Sequence, residues 1–159
     1  MATTPDPATY RERLGVPLRW WVQGTMLVAS LWLALVVAVP GPVAWPVTGV
    51  ALLLLAACFL SYGGARIVVD GGELRAGRAH IAGIHLGAAE ALDAEQTRRV
   101  AGVEADARAY LLLRPYLKRA VRVEINDPAD PAPYWLVSTR HPDELAGALT
   151  RLNGPAPTG

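Results

Sequence analysis

The chain has 159 residues, enough for about one domain, and its net charge of +1 excludes the basic footprint expected of a nucleic-acid-binding protein. Hydrophobic residues make up 52% of the sequence and charged residues 18%, and no Asp, Glu, Lys or Arg occurs from Trp20 to Ala65. All 15 basic and all 14 acidic residues therefore lie outside this one charge-free, mostly apolar run, which excludes a simple soluble globule.

The apolar run follows a predicted N-terminal segment, residues 1–19, and is too long for one membrane span. Prolines at positions 40, 42 and 46 interrupt it in the middle. The pattern therefore predicts a transmembrane hairpin of two helices, at about 20–39 and 45–62, each close to the length that crosses a hydrocarbon core of ~30 Å. A cleaved signal peptide is the alternative for the first helix, because Val36-Val37-Ala38 resembles a small-residue cleavage site. The acidic residues Asp6 and Glu12 before the run, and the second span that follows it, favour the hairpin.

Charges on the two sides of the hairpin indicate its orientation. Arginines precede the first span and follow the second, whereas the turn between them is uncharged. The positive-inside rule then predicts a multi-pass protein of the cell (plasma) membrane with both termini in the cytoplasm. Basic and aromatic residues that would anchor the helix ends at the membrane interface are Arg19, Trp20, Trp21, Trp45 and Tyr62.

The interior of the predicted spans offers no chemistry beyond anchoring. No ionisable side chain lies inside either helix, so the sequence gives no support to a transport path. The single cysteine, Cys58, is interpreted as a small hydrophobic residue. Ser30, Ala34 and Ala38 share one face at four-residue spacing, and we expect them to pack against the second helix rather than to form a dimer contact.

From residue 66 onward the sequence pattern becomes typical of β-strands. Residues 66–152 are predicted to form a cytoplasmic domain, and residues 153–159 a flexible tail. Arg66–Asp70 and 73–76, joined by Gly71-Gly72, indicate a hairpin. Weaker strands are predicted at 79–84 and 88–92, and stronger ones at 110–114, 120–125 and 134–139.

The domain ends in a predicted amphipathic helix. Pro142 is placed as its first residue, and Leu145, Leu149 and Leu152 share one face that must lie on a core. Six to seven short strands followed by one helix predict an α+β fold: a small bent antiparallel sheet or open barrel capped by the C-terminal helix.

Two resemblances extend this interpretation. The step from the last strand into the helix, Ser138-Thr139-Arg140-His141-Pro142-Asp143-Glu144-Leu145, resembles that of bacterial pleckstrin-homology-like (PH-like) domains, which implies a PH-like fold for about residues 66–152. Nearly the whole chain resembles an actinobacterial family of two-span membrane proteins of unknown function, which implies placement and architecture but no activity. The segments that carry this second resemblance are Tyr10 to Pro17 with Trp20-Trp21, Ala109 to Pro115, Val121 to Asp127 and Pro133 to Arg140.

Residues capable of catalysis or metal binding are few. The three histidines lack the spacing of a metal site, and no nucleophile elbow or phosphate-binding loop is present, so we predict no catalytic residues, no metal and no cofactor. If the protein is instead an enzyme or enzyme subunit at the membrane face, the candidate residues are His80, His85 and Glu90.

One basic segment lies between two predicted strands. It is either a solvated loop or a contact with an anionic membrane surface, where each cation can contribute ~1 kcal/mol. In the second interpretation Tyr116 and Leu117 would insert shallowly into the bilayer. The candidate membrane-surface contacts are Arg114, Tyr116, Leu117, Lys118, Arg119 and Arg122.

The sequence thus predicts a non-enzymatic integral membrane protein that displays a cytoplasmic PH-like module. The partners it suggests are the lipid bilayer together with a protein, lipid headgroups or a second copy of the chain. An enzyme acting at the cytoplasmic face is the alternative.

Overall fold

A computed structural model describes residues 10–39 and 41–154. They belong to two compact units: residues 15–64 form one, and residues 10–14 together with 65–154 form the other. The domain predicted to begin at residue 66 therefore also includes residues from the predicted N-terminal segment 1–19. The first nine residues of that segment, and most of the predicted tail at 153–159, lie outside the described residues.

The first unit consists of two helices, α1 (Leu18–Ala38) and α2 (Gly41–Tyr62). Within the described residues these two helices are long and apolar enough to cross a membrane. Helix α2 begins four residues before its predicted start at Trp45, so Pro46 falls inside it rather than in its first turn. Thr48 donates its hydroxyl hydrogen bond to the carbonyl of Ala44 at 2.8 Å, as expected of a polar side chain in apolar surroundings.

The two helices pack through a narrow set of side chains. The ring of Trp21 meets Phe59 edge-on, with ring centroids 5.1 Å apart, and the Leu55 side chain lies against Gly24. A Cβ atom added at Gly24 would lie 2.9 Å from a Leu55 methyl group, so the glycine permits this approach. Val28, one turn further along α1, is buried.

The small residues predicted to face α2 do not do so. Ser30, Ala34 and Ala38 are all exposed, and the Ser30 hydroxyl bonds back to the carbonyl of Met26. The face of α1 that turns toward α2 is instead the one carrying Trp21 and Val28, because it offers both a large ring and a close approach. The predicted packing of the small-residue face is therefore wrong.

The second unit contains eight strands in two four-stranded sheets. The first sheet is antiparallel, in the order β1-β2-β3-β4, and the second has the order β5-β7-β8-β6. In the second sheet β6 runs parallel to β8, so the prediction of an all-antiparallel sheet of six to seven strands is wrong, and the described strands form no closed barrel. The strands are β1 (Tyr10–Arg13), β2 (Arg66–Asp70), β3 (Glu73–Ala76), β4 (Ala79–Ala82), β5 (Leu86–Leu92), β6 (Tyr110–Leu112), β7 (Ala120–Ile125) and β8 (Tyr134–Ser138).

The predicted β2–β3 hairpin is confirmed. Gly71 and Gly72 both have positive φ, 59° and 85°, the backbone conformation that this tight turn needs and that other residues rarely adopt. Asp70 and Glu73 face each other across the turn, and the register continues to the pair Ile67 and Ala76.

The main core lies between the two sheets and the C-terminal helix α4 (Pro142–Asn153). Leu145 and Leu149 are each 1% exposed, so the predicted docking of this helix on the core is confirmed. Leu152 packs over Gly83, where an added Cβ would lie only 2.7 Å from the leucine Cγ.

A second, smaller core covers the opposite face of the second sheet. It is closed by a helix that the sequence analysis did not predict, α3 (Ala94–Ala101), which buries Val100. Strand β8 is consequently buried on both faces: Trp135 and Val137 point into the main core, and Tyr134 and Leu136 into the smaller one.

Candidate functional site

The basic segment predicted to contact a membrane forms the connection between β6 and β7. Lys118 and Arg119 in this connection are exposed, as that prediction requires. Arg114 is half-buried, and its backbone N–H donates to the Ser138 hydroxyl at 3.1 Å. The exposed positive charge of the connection is therefore concentrated at its second half.

The two side chains predicted to insert into the bilayer belong to the interior of the domain. Tyr116 is buried, and its hydroxyl donates to the Leu14 carbonyl at 2.9 Å. Leu117 is half-buried and packs against the main core. Both side chains are held by contacts within the domain, so the structure gives them a positioning role instead of an exposed apolar surface.

Arg122 is separated from the other cations of the segment. It lies on β7, and its guanidinium stacks over the Tyr134 ring at 4.5 Å from the ring centroid. This cation–π contact turns the side chain toward the face of the sheet that α3 covers.

The exposed cations of the connection meet others from distant parts of the sequence. Arg119 donates to the Arg140 carbonyl at 2.9 Å, and Arg140 donates through Nη1 to the Arg13 carbonyl at 3.1 Å. Arg13 in turn lies opposite Arg66 in the pairing of β1 with β2. These five residues line one end of the domain, and we refer to them as the basic rim: Arg13, Arg66, Lys118, Arg119 and Arg140.

The basic rim includes the residues next to the positions where the chain leaves and re-enters the domain, Arg13 and Arg66. Strand β1 ends at Arg13, and the backbone N–H of Leu14 donates to the Ala65 carbonyl at 3.0 Å. Only four residues separate β1 from α1, and only three separate α2 from β2. The Tyr116 hydrogen bond to Leu14 fixes the β6–β7 connection beside this exit.

The buried carboxylate of Glu12 contacts the rim residue Arg140. Glu12 is 8% exposed, and its oxygens accept hydrogen bonds from the Tyr10 hydroxyl at 2.7 Å, from the Thr139 hydroxyl, and from the Arg140 backbone N–H at 3.0 Å. The Arg140 guanidinium lies 3.7 Å from the same carboxylate. Burial, together with the adjacent Glu12 charge, raises the pKa of Tyr10 well above its ordinary value, so the phenol keeps its proton as a donor.

Apart from the buried Glu12, the carboxylates of the first sheet that form ion pairs lie away from the rim. Asp70 and Glu73 sit at the β2–β3 turn, the opposite end of the sheet, where they pair with Arg11 at 3.8 Å and Arg75 at 3.2 Å. Within the described residues, no carboxylate forms an ion pair with four of the five rim cations: Arg13, Arg66, Lys118 and Arg119.

The predicted interface anchors belong to the helical unit. The indole ring of Trp20 lies 6.4 Å from Phe59, and Trp45, which is 69% exposed, packs its ring on Trp32 at 5.9 Å. Arg19 and Tyr62, at opposite ends of the helical unit in sequence, are exposed. Their role as interface anchors stays a prediction.

The residues suggested for an enzyme are spread over both sheets. His80 is exposed on β4 of the first sheet, whereas Glu90 is exposed on β5 of the second and lies opposite Arg122 in register. His85 belongs to a 3-10 turn, Gly83–His85, and its carbonyl accepts from Asn126. Among the residues described, no hydrogen bond or ion pair joins any two of these three side chains, and no group of three His, Cys, Asp or Glu is arranged to hold a metal ion.

Comparison with known proteins identifies a family for the chain. A family model described as "Protein of unknown function (DUF3093)" matches residues 9–149, which is most of the chain. No curated protein and no solved structure matches it.

Proposed function

The chain belongs to the family of proteins of unknown function DUF3093, and we propose that it is a non-enzymatic integral membrane protein whose cytoplasmic domain is an interaction module. The proposal rests on one observation: the domain is built from chain segments that precede and follow the helical hairpin in the sequence. Strand β1 precedes α1 in the chain, and the other seven strands follow α2. A domain assembled from both flanks needs both flanks on the same side of a membrane, which two spans achieve.

The same composition disfavours a cleaved signal peptide. Cleavage after Ala38 would remove Tyr10, Glu12 and Leu14, all of which are buried in the domain. It would also leave Thr139 and Arg140 without the carboxylate that accepts their hydrogen bonds. An uncleaved pair of spans keeps these contacts.

The orientation we propose places the domain in the cytoplasm of the cell. Arg11, Arg13 and Arg19 lie shortly before or at the start of the first helix, and Arg66 follows the second after three residues. The segment between the helices carries no charge. By the positive-inside rule, the charged side is the cytoplasmic one.

The domain is proposed to be PH-like. Support comes from its two small sheets, which share the main core, and from the C-terminal helix that covers that core. Its surface carries a cluster of exposed cations at one end. The residues considered for catalysis, His80, His85 and Glu90, lie on β4, in a 3-10 turn and on β5. We therefore favour binding over catalysis, with a protein, lipid headgroups or a second copy of the chain as the partner.

Membrane insertion and topology are tested together on the full-length protein. We expect it to stay in the membrane after an alkaline carbonate wash and to be released only by detergent. Reporters fused before Met1 and after Gly159 should both be active in the cytoplasm. Release by carbonate alone, or opposite locations for the two reporters, would contradict the proposal.

The interaction role is tested by affinity capture from native membranes in mild detergent, followed by mass spectrometry. A stoichiometric protein partner or a second copy of the chain would identify a protein-binding module. Capture together with a substrate-converting activity that Glu90→Gln or His80→Gln abolishes would support the enzyme alternative instead.

A further inference from the structure

We infer that the basic rim docks the domain onto the anionic lipid headgroups of the membrane that holds its own helices. This inference rests on the proposed membrane anchoring and specifies the partner of the module. The occupant of the surface is thus a lipid leaflet rather than a protein.

The rim is a product of folding, not of sequence proximity. Lys118, Arg119 and Arg140 follow the end of α2 by more than 50 residues. The charge bias that orients a membrane protein is counted within about 15–20 residues of a span, so these three cations lie too far along the chain to serve that purpose. The fold nevertheless joins Arg140 to Arg13 and Arg119 to Arg140 through direct hydrogen bonds, and Arg13 lies opposite Arg66 in the strand register. Lys118 precedes Arg119 in the exposed connection.

Short links join the rim residues Arg13 and Arg66 to the two helices that we propose to span the membrane. A fully extended chain spans at most about 3.6 Å per residue, so the four-residue link after Arg13 and the three-residue link before Arg66 are both short. Tyr116 adds the β6–β7 connection to this end by bonding to Leu14. Tyr116 is therefore a positioning residue for Lys118 and Arg119.

The charge on the rim complements an anionic surface. Four of its cations have no carboxylate partner in the part of the chain that the structure describes, and the fifth, Arg140, is paired with the buried Glu12. The exposed side chains of Lys118 and Arg119, on the β6–β7 connection, are long enough to reach headgroup phosphates while their backbone stays folded. Attraction between these groups weakens as salt shortens the Debye length from about 30 Å at 0.01 M to about 8 Å at physiological ionic strength.

The test measures proximity of the rim to headgroups in the full-length protein. Cys58 is first replaced (Cys58→Ser), and a fluorophore is attached at Pro115→Cys, an exposed position in the β6–β7 connection. A second labelled variant, Val103→Cys, places the probe at a residue that is 97% exposed in the segment after α3. Each protein is reconstituted into nanodiscs of phosphatidylcholine, with or without phosphatidylglycerol, that contain a fixed share of lipid carrying a nitroxide headgroup quencher.

We expect the probe at position 115 to be quenched severalfold more in the anionic discs than in the neutral ones at low salt, and this excess to disappear at high salt. The double variant Lys118→Gln/Arg119→Gln should remove the excess. The matched control is Arg98→Gln/Arg99→Gln on the exposed face of α3. It removes the same amount of charge and should leave the excess quenching unchanged. The probe at position 103 should report a smaller dependence on lipid charge.

Equal quenching at position 115 in anionic and neutral discs at low salt would overturn the inference, as would an excess that survives the Lys118→Gln/Arg119→Gln change. If that double variant folds poorly, the protein with the unaltered rim still provides the test, because its excess quenching in anionic discs should disappear at high salt. A protein that remains in the discs yet shows no lipid-charge dependence refutes docking alone. A protein that carbonate removes from the membrane refutes the proposed anchoring.

Discussion

Replacing Glu12 by glutamine should destabilise the domain while keeping the shape of the buried side chain. The carboxylate accepts from Tyr10, Thr139 and Arg140, and these contacts join β1 to the step between the last strand and α4. Glutamine retains one oxygen acceptor but places an NH₂ group where the carboxylate now accepts hydrogen bonds. The variant therefore lacks both the negative charge and part of the accepting capacity.

The size of the effect follows from the number of bonds. A hydrogen bond to a charged group contributes about 1.5–3 kcal/mol net and a neutral one about 1 kcal/mol, so weakening all three bonds should cost roughly 1.5–6 kcal/mol. The ion pair with Arg140 adds little, because that arginine side chain is 38% exposed and solvent screens the interaction. A loss of this size is a large share of the ~5–15 kcal/mol that typically stabilises a domain.

Pulse proteolysis of the full-length protein in nanodiscs across a urea series would measure this change in the free energy of unfolding. The matched control is Glu124→Gln on β7, where the side chain is exposed and the expected change is within about 0.5 kcal/mol. If Glu12→Gln unfolds at the same urea concentration as the unaltered protein, the buried cluster does not hold β1 in place, and the reasoning is refuted.

Three further predictions concern the same domain. Leu149→Asp should bury an unpaired charge at a position that is 1% exposed and cost several kcal/mol, so the protein should be degraded in cells; normal abundance and protease resistance would show that α4 is not docked. Gly83→Val should cost about 1–3 kcal/mol by pushing against Leu152, whereas Gly147→Ala, where an added Cβ meets only an arginine side-chain nitrogen at 3.5 Å, should not lower the thermal midpoint. Burial raises the pKa of Tyr10 in the folded state. The stability that the protonated phenol contributes should therefore be complete below the unfolded pKa of about 10 and decline as pH rises through the higher folded pKa. Urea titrations of Tyr10→Phe should lack this part of the alkaline stability loss.

Features set by local chemistry were predictable from the sequence. The β2–β3 hairpin follows from a strand pattern broken by two glycines, and the start of α4 follows from Pro142 with acidic residues behind it. The inward positions of β7, Val121 and Val123, follow from strict alternation. Each of these signals lies within a few neighbouring residues.

Strand β1 was not predicted because its partner lies across the whole helical hairpin. Its four residues alternate between buried and exposed positions, but one of the buried residues is Glu12, which a hydrophobicity pattern counts as polar. Only the fold supplies the donors that make its burial favourable. The parallel pairing of β6 with β8 likewise joins strands that are distant in the sequence, and no local sequence pattern predicts it.

Helix α3 did carry a local signal. Asp93 accepts from the Gln96 backbone N–H, and the Gln96 side chain accepts from the Asp93 backbone N–H, which is a complete capping box. The helix has only eight residues and buries only Thr97 and Val100, so apolar periodicity alone is too weak to find it. An Asp followed by Gln three residues later was the available clue.

The candidate site was predictable in part. Lys118 and Arg119 were identified from charge alone, and both are exposed. The role of Tyr116 was not, because an aromatic residue within a basic segment is typical of membrane insertion and of core packing alike. Arg140 was missed as a rim residue since only tertiary contacts place it beside Arg13.

The hydrogen bond between Leu14 and Ala65 has a consequence for engineering of the domain. Strands β1 and β2 are antiparallel neighbours whose adjoining ends are bonded to each other, so residues 15–64 occupy the position of an ordinary hairpin loop. In topological terms, the helical unit is an insertion within a β-hairpin. Excising it and joining Leu14 to Ala65 through an Asn-Gly turn should yield a water-soluble, contiguous eight-stranded domain, whereas a fragment beginning at Arg66 would lack its edge strand and the Glu12 carboxylate.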